Sequence, residues 1–306
     1  MVADQRPDFA HLQVSWMLAL RSDGYAQNTL LTYKRAFENF ADWFARDHPG
    51  LGPCDITREH LRLWIVSMRD NGAPATASVR FAGIRKFCKW MLDEGEIGED
   101  VTLGILAPSP GEAHTPVVSR DGIKALLAAC AGNDFVCRRD TAVIMILLDG
   151  GLRLAEVADL QLEDVDLRDR ILFVTGKGTN RSGPRRRAVP IGVKTARSVD
   201  RYVRERRRHP YAEQPKLWLG AQNKPALTRK GIEGIVRRAG QRADVPVHPH
   251  QFRHTWASEF RAAGGEEGDL MVLGGWRSRS MLDRYGKAAA DSARDSYRTR
   301  SLGDRL

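Results

Sequence analysis

The chain has 306 residues, of which 42% are hydrophobic and 28% charged. That length and composition exclude a disordered chain and a disulfide-stapled miniprotein, because a chain of this size buries a sizeable core. No apolar run approaches the roughly 20 residues of a membrane-spanning helix, and Asp4 and Asp8 stand where a secretory leader would carry cations.

Cys54, Cys88, Cys130 and Cys137 form no C-x-x-C pair, so they read as reduced, buried thiols of a cytoplasmic protein. The net charge of +10 is unevenly spread. Residues 1–116 hold 12 basic and 15 acidic side chains, whereas residues 117–306 hold 36 and 23. Most of the later cations are arginines, whose planar forks suit bidentate phosphate contacts. The charge alone fits a polyanion partner or an ordinary solvated basic surface.

The first hundred residues read as helices. Leu12 to Leu20 is a short apolar-periodic segment, and Asn28 to Ala45 places Leu30, Tyr33, Phe37, Phe40 and Phe44 at helical steps. Thr57 reads as the cap of a third helix, with His60 where a capping box would hold an acid. A fourth spans about Ala75 to Leu92, with Val79, Gly83, Ile84, Phe87 and Met91 predicted on one side and Arg80, Lys86 and Lys89 elsewhere. The proline-containing stretch 106–117 reads as a linker between units 1–105 and 118–306.

Beyond the linker, Ser119 reads as an N-cap, and an apolar helix runs from about Asp140 to Asp149, broken by Gly150-Gly151. Ile171 to Thr175 alternates like a strand, with Ala188 to Ile191 as its partner across a Gly/Arg-rich turn. Helices resume near Thr195. The class is mainly α with a small antiparallel β element.

Four features can carry chemistry, and each is weak alone. Arg153 follows a glycine break in Gly-Leu-Arg-Leu-Ala-Glu; such arginines mostly sit at the surface. Lys177 stands in a Gly-Lys-Gly turn, which is not a Walker A loop and most often is merely solvated. His250 and Arg253 are an i, i+3 pair that shares a helix face. The cluster with His248 and His254 lacks cysteine or carboxylate ligands at zinc spacing. Leu273-Gly274-Gly275-Trp276 is followed nine residues later by Tyr285, a residue type usually engaged in packing.

In this order, across essentially the whole chain, these features resemble the tyrosine recombinase (phage integrase) family, and within it the two-domain Xer-like and transposon-type members. The resemblance implies a helical, SAM-like core-binding domain before the linker and a catalytic domain after it. It places Arg153, Lys177, His250, Arg253, Trp276 and Tyr285 at the catalytic positions, with Glu156 behind them orienting Arg153 or His250. The sequence departs from the family pattern in its longer, arginine-rich turn and in the extra glycine of Leu-Gly-Gly-Trp. Tyr297 reads as a packing residue rather than the nucleophile.

The resemblance implies a site-specific recombinase acting on double-stranded DNA. In the implied reaction the Tyr285 oxygen attacks a DNA phosphodiester, a 5′-hydroxyl leaves, and the enzyme is joined to the 3′ end. Arg153 and Arg253 would hold the non-bridging oxygens, Lys177 would protonate the leaving oxygen, and no metal or cofactor is needed. Thr29, Lys34, Arg35, Arg80 and Lys86 in the first unit, with Arg181, Arg185, Arg186 and Arg187 on the turn, are the expected DNA contacts. The implied assembly is a tetramer on two paired sites, its tail from Lys287 to Leu306 exchanged between protomers. Two alternatives stay open: a type IB topoisomerase acting alone, and an inactive DNA-binding relative.

Overall fold

The computed structural model describes residues 8–70, 72, 74–109, 116–176, 183, 185–221 and 224–276. Lys177, Arg181, Tyr285, Tyr297 and the tail from Lys287 lie outside the described residues. The chain divides into two compact units, Met1–Ala113 and His114–Leu306. Among the described residues, no helix is long and apolar enough to cross a membrane.

The first unit has four helices: α1 (Phe9–Ser22), α2 (Gln27–Asp47), α3 (Arg58–Asp70) and α4 (Pro74–Asp93). Their buried faces meet in an aromatic core that includes Trp16, Phe37, Phe40, Phe44, Trp64 and Phe87. Asp8 caps α1 by accepting from the His11 amide at 2.7 Å. At α3, Thr57 Oγ1 accepts from the His60 amide at 3.3 Å, and His60 Nδ1 accepts from the Thr57 amide at 3.2 Å. The imidazole thus does what an acid does in a capping box. That role requires an unprotonated Nδ1, and the pKa of His60 is lowered by burial and by His48, whose ring lies 4.3 Å away.

On α4 the buried residues are Ala77, Phe81, Gly83, Ile84, Phe87, Cys88 and Met91. Val79, expected on that face, is 50% exposed, because the buried arc centres nearer Ile84 and Met91 and leaves it outside. Gly83 is required by the crossing with α2: a Cβ there would lie 2.9 Å from that of Ala36.

The second unit comprises α5 (Arg120–Ala129), α6 (Phe135–Gly150), α7 (Leu154–Asp159), β1 (Val165–Asp166), β2 (Ile171–Gly176), β3 (Arg185–Pro190), α8 (Val193–Arg206), α9 (Arg229–Ala243), α10 (Pro249–Ala262) and α11 (Glu267–Gly274). Ser119 caps α5 as expected, accepting from the Gly122 amide. Helix α6 begins five residues earlier than its apolar run suggests, because Asp134 caps it through the Val136 and Cys137 amides. Helices α6 and α8 run antiparallel, tied by Arg138 to Glu205 at one end and by the Gly192 amide to Asp149 at the other.

The strands form one antiparallel sheet in the order β1-β2-β3, with Val174 opposite Arg187 and Ile171 opposite Pro190. Strand β3 starts at Arg185, three residues before the predicted partner, and the two-residue β1 is too short to show an alternating pattern in the sequence. Backbone pairing extends β3 through arginines whose sequence shows no apolar alternation. Of the cysteines, Cys88 and Cys130 are buried, whereas Cys54 and Cys137 are only half-buried; all four are free thiols. Burial pushes the Cys88 thiol up to about 12.

Candidate active site

Four separated stretches of the second unit converge: the α6–α7 junction, the body of α10, the end of α11 and strand β3. The junction turns at Gly151, which has φ +55° and caps α6 in the left-handed region. A Cβ at Gly151 would lie 2.1 Å from Trp256 Cε3 of α10. Glycine is therefore needed there both for backbone conformation and for the close approach of α10.

Arg153 follows as the residue before α7, and the Arg-x-x-Glu spacing puts Glu156 one turn along. Glu156 Oε2 accepts from the Arg153 amide at 2.8 Å, satisfying an open N–H of the helix start. Oε1 accepts from Arg153 Nη1 at 2.9 Å. Arg187, reaching in from β3, donates Nη1 to Oε1 at 3.0 Å and Nη2 to Oε2 at 2.9 Å. Glu156 therefore joins two guanidinium groups. Burial alone would push its carboxyl up, but the Arg187 fork and then the Arg153 amide and guanidinium outweigh it and hold the pKa below the usual range.

On α10, Pro249 occupies the first turn and Gln251 Oε1 accepts from the His248 amide. Arg253 is 2% exposed. Its Nη1 donates to the Gly151 carbonyl and its Nη2 to the Gly274 carbonyl, both at 2.6 Å. Its Cζ lies 4.3 Å from the Trp276 ring centroid. Helix α11 ends at Gly274, and Gly275 follows at φ +64°. That turn aims three carbonyls at the arginines: Leu273 to Arg187 Nε at 2.9 Å, Gly274 to Arg253, and Gly275 to Arg153 Nη2 at 3.3 Å. His250 is exposed one turn before Arg253, its ring 5.0 Å from that of His254.

Arg153, Glu156, Arg253 and Trp276 are thus brought together, with His250 on the same helix as Arg253. Strand β2 ends beside them: a Cβ at Gly176 would lie 3.7 Å from Glu156 Oε1. Lys177 is the next residue, outside the described set. The arginines of the turn separate. Arg185 and Arg186 are exposed, and Arg186 pairs with Asp164 at 3.1 Å and covers the Phe173 ring. Arg187 is instead drawn onto Glu156, with its side chain 14% exposed. Its signal in the sequence is Val189: two residues on, it shares Arg187's side of the strand and is buried.

The candidate DNA contacts of the first unit lie on α2 and α4. Lys34 and Arg35 are exposed, and Lys34 pairs with Glu38 at 3.4 Å. Thr29 and Arg80 are half-buried. Lys86 lies 5.6 Å from the Tyr25 ring centroid.

Known proteins share this architecture. The phage integrase family profile matches residues 116–291, and the phage integrase N-terminal SAM-like domain matches residues 15–95. A tyrosine recombinase XerD of Corynebacterium glutamicum is 28% identical over 301 residues, covering 94% of this chain and 96% of its own. One from Xanthomonas axonopodis pv. citri is 30% identical over 277 residues, covering 86% and 87%. Among solved structures, the Tn1549 transposon integrase in complex with transposon right end DNA superposes with a TM-score of 0.75 at 20% identity, over 97% of this chain and 100% of that one. The chain belongs to the phage integrase family. It is a site-specific DNA recombinase of the tyrosine class, an enzyme that cleaves and rejoins DNA strands.

Proposed function

We propose that the centre around Arg153 and Arg253 holds the scissile phosphate and that Tyr285 is the nucleophile. The observation that supports this most is the convergence of both arginines, from α7 and α10, on the carbonyl frame at the end of α11. Arg253 donates to the Gly151 and Gly274 carbonyls, which fixes the plane of its guanidinium beside Arg153. Arg153, held by Glu156 and the Gly275 carbonyl, keeps 42% of its side chain exposed. Two fixed, permanently charged groups suit a transition state whose negative charge grows on non-bridging oxygens.

In the proposed step the Tyr285 oxygen forms a bond to phosphorus while the bond from phosphorus to the 5′-oxygen breaks. Lys177 gives its proton to that oxygen, and His250 assists removal of the phenol proton or hydrogen-bonds the phosphate. The Trp276 indole packs against Arg253. The reverse step, with another strand's 5′-hydroxyl, completes exchange and needs no external energy source. Residues 1–105 serve as the core-binding domain, 106–117 as the linker and 118–306 as the catalytic domain. Thr29, Lys34, Arg35, Arg80, Lys86, Arg181, Arg185 and Arg186 contact DNA. The protein works in the cytoplasm as a tetramer on two paired sites, with residues 287–306 exchanged between neighbours.

The test is a suicide duplex carrying the recombination site. Wild type should accumulate a covalent protein–DNA adduct, and Tyr285→Phe should form none while binding the site within about tenfold of wild type. An adduct retained by Tyr285→Phe would move the nucleophile elsewhere. Affinity should fall steeply with salt, as for any protein that displaces many counterions from DNA.

A further inference from the structure

We infer that Arg187 is a positioning residue for strand cleavage, engaging Glu156 so that the carboxylate does not neutralise the Arg153 charge or draw its guanidinium inward. The inference rests on the reading of Arg153 as a phosphate-holding group. Glu156 carries one negative charge and is only 5% exposed. Arg187 takes both of its oxygens in a bidentate fork, whereas Arg153's side chain reaches only Oε1. The inner pair, Arg187 and Glu156, is enclosed; Arg153 is the solvent-facing member of the three. Two guanidinium groups and one carboxylate carry a net charge of +1, and the surplus sits on Arg153.

Removal of Arg187 changes that balance. Arg153 and Glu156 would then form a neutral pair, and Oε2, left with only the Arg153 amide, would draw the Arg153 fork back into a bidentate grip. A phosphate would meet an arginine whose charge is already spent. Arg187 is poorly suited to touch DNA itself: three of its five N–H donors are engaged, two on Glu156 and Nε on the Leu273 carbonyl. That third bond ties Glu156 to the α11 end whose next two carbonyls hold Arg253 and Arg153. Arg185 and Arg186 have no such enclosure.

A double-mutant cycle tests this, with single-turnover adduct formation and site affinity measured in parallel. Arg187→Gln should slow cleavage at saturating DNA roughly tenfold or more, with affinity changed by less than about threefold. Adding Glu156→Gln to it removes the unbalanced carboxylate, and cleavage should recover at least about threefold over Arg187→Gln alone. An arginine with a merely structural role would give a double variant no faster than the single, and that result would overturn the inference. So would an Arg187→Gln that loses affinity but cleaves normally at saturation, which would mark a DNA contact. If Arg187→Gln does not fold, Arg187→Met, which fills the space without the charge, decides with and without Glu156→Gln by the same comparison. An Arg153→Gln variant that cleaves normally would instead overturn the reading of Arg153 and leave the Arg187 comparison distinguishable from it.

Discussion

Arg253 Cζ lies over the Trp276 ring, 4.3 Å from its centroid, while the two terminal nitrogens bond carbonyls at the ends of α6 and α11. This cation–π contact covers one side of a cation that is almost wholly buried. Trp276 itself is 8% exposed and packs with Ala257 and Leu270.

Trp276→Phe keeps an aromatic face over Arg253 and should retain most cleavage activity. Trp276→Ala loses the stack and leaves a cavity, with an expected cost of about 3–5 kcal/mol in a denaturant titration. Cleavage should fall further for alanine than for phenylalanine. Equal losses in the two variants would show that the indole N–H, absent from both, matters more than the stack.

Gly151→Ala should be among the most damaging single-methyl changes in the chain. It places a Cβ 2.1 Å from Trp256 Cε3 at a backbone position of φ +55°. A strained left-handed alanine costs about 1 kcal/mol, and the clash adds about 1–3 kcal/mol more. Thermal unfolding of the second unit reads the loss. Gly264 of the same unit makes the control: its φ is also positive, at +85°, but an added Cβ there meets nothing within 4 Å.

The Thr57–His60 capping box predicts a pH dependence in the first unit. The folded pKa of His60 is lowered, so the unfolded chain binds the proton more readily. Stability is therefore full above the ordinary histidine pKa of about 6.5 and declines as the pH falls below it. His60→Gln keeps an acceptor that can reach back to the Thr57 amide, and it should flatten that slope between about pH 7 and 5. An unchanged slope in His60→Gln would assign the dependence to other groups.

Lys177→Ala should cleave an ordinary phosphodiester at least about a hundredfold more slowly than wild type, the usual worth of a general acid. A substrate with a 5′-bridging phosphorothiolate should restore the rate, because the sulfur leaves without a proton. Failure of that rescue would move the general acid to another side chain, with the arginines of the same turn first in line.

Much of this protein can be read directly from its residues, where the information is local. Apolar spacing predicts α1 to α4, Ser119 predicts a cap, and Gly150-Gly151 predicts a chain break, because propensity, capping and periodicity act over a few positions. The order of Arg153, Glu156, Lys177, His250, Arg253, Trp276 and Tyr285 was enough to suggest the family. What no local pattern contains is the partnership between distant groups. In sequence Arg187 is one more cation on a basic turn, and only its register opposite Val174 carries it onto Glu156, 31 positions away. Val79 lies outside the buried face for a related reason: helical spacing defines a stripe, but the packing of neighbouring helices decides where the stripe ends. The three carbonyls at the end of α11 are invisible in sequence altogether, since every residue has one. Tertiary packing selects the ones that fix the arginines, because a buried guanidinium needs partners and takes those the fold brings within reach.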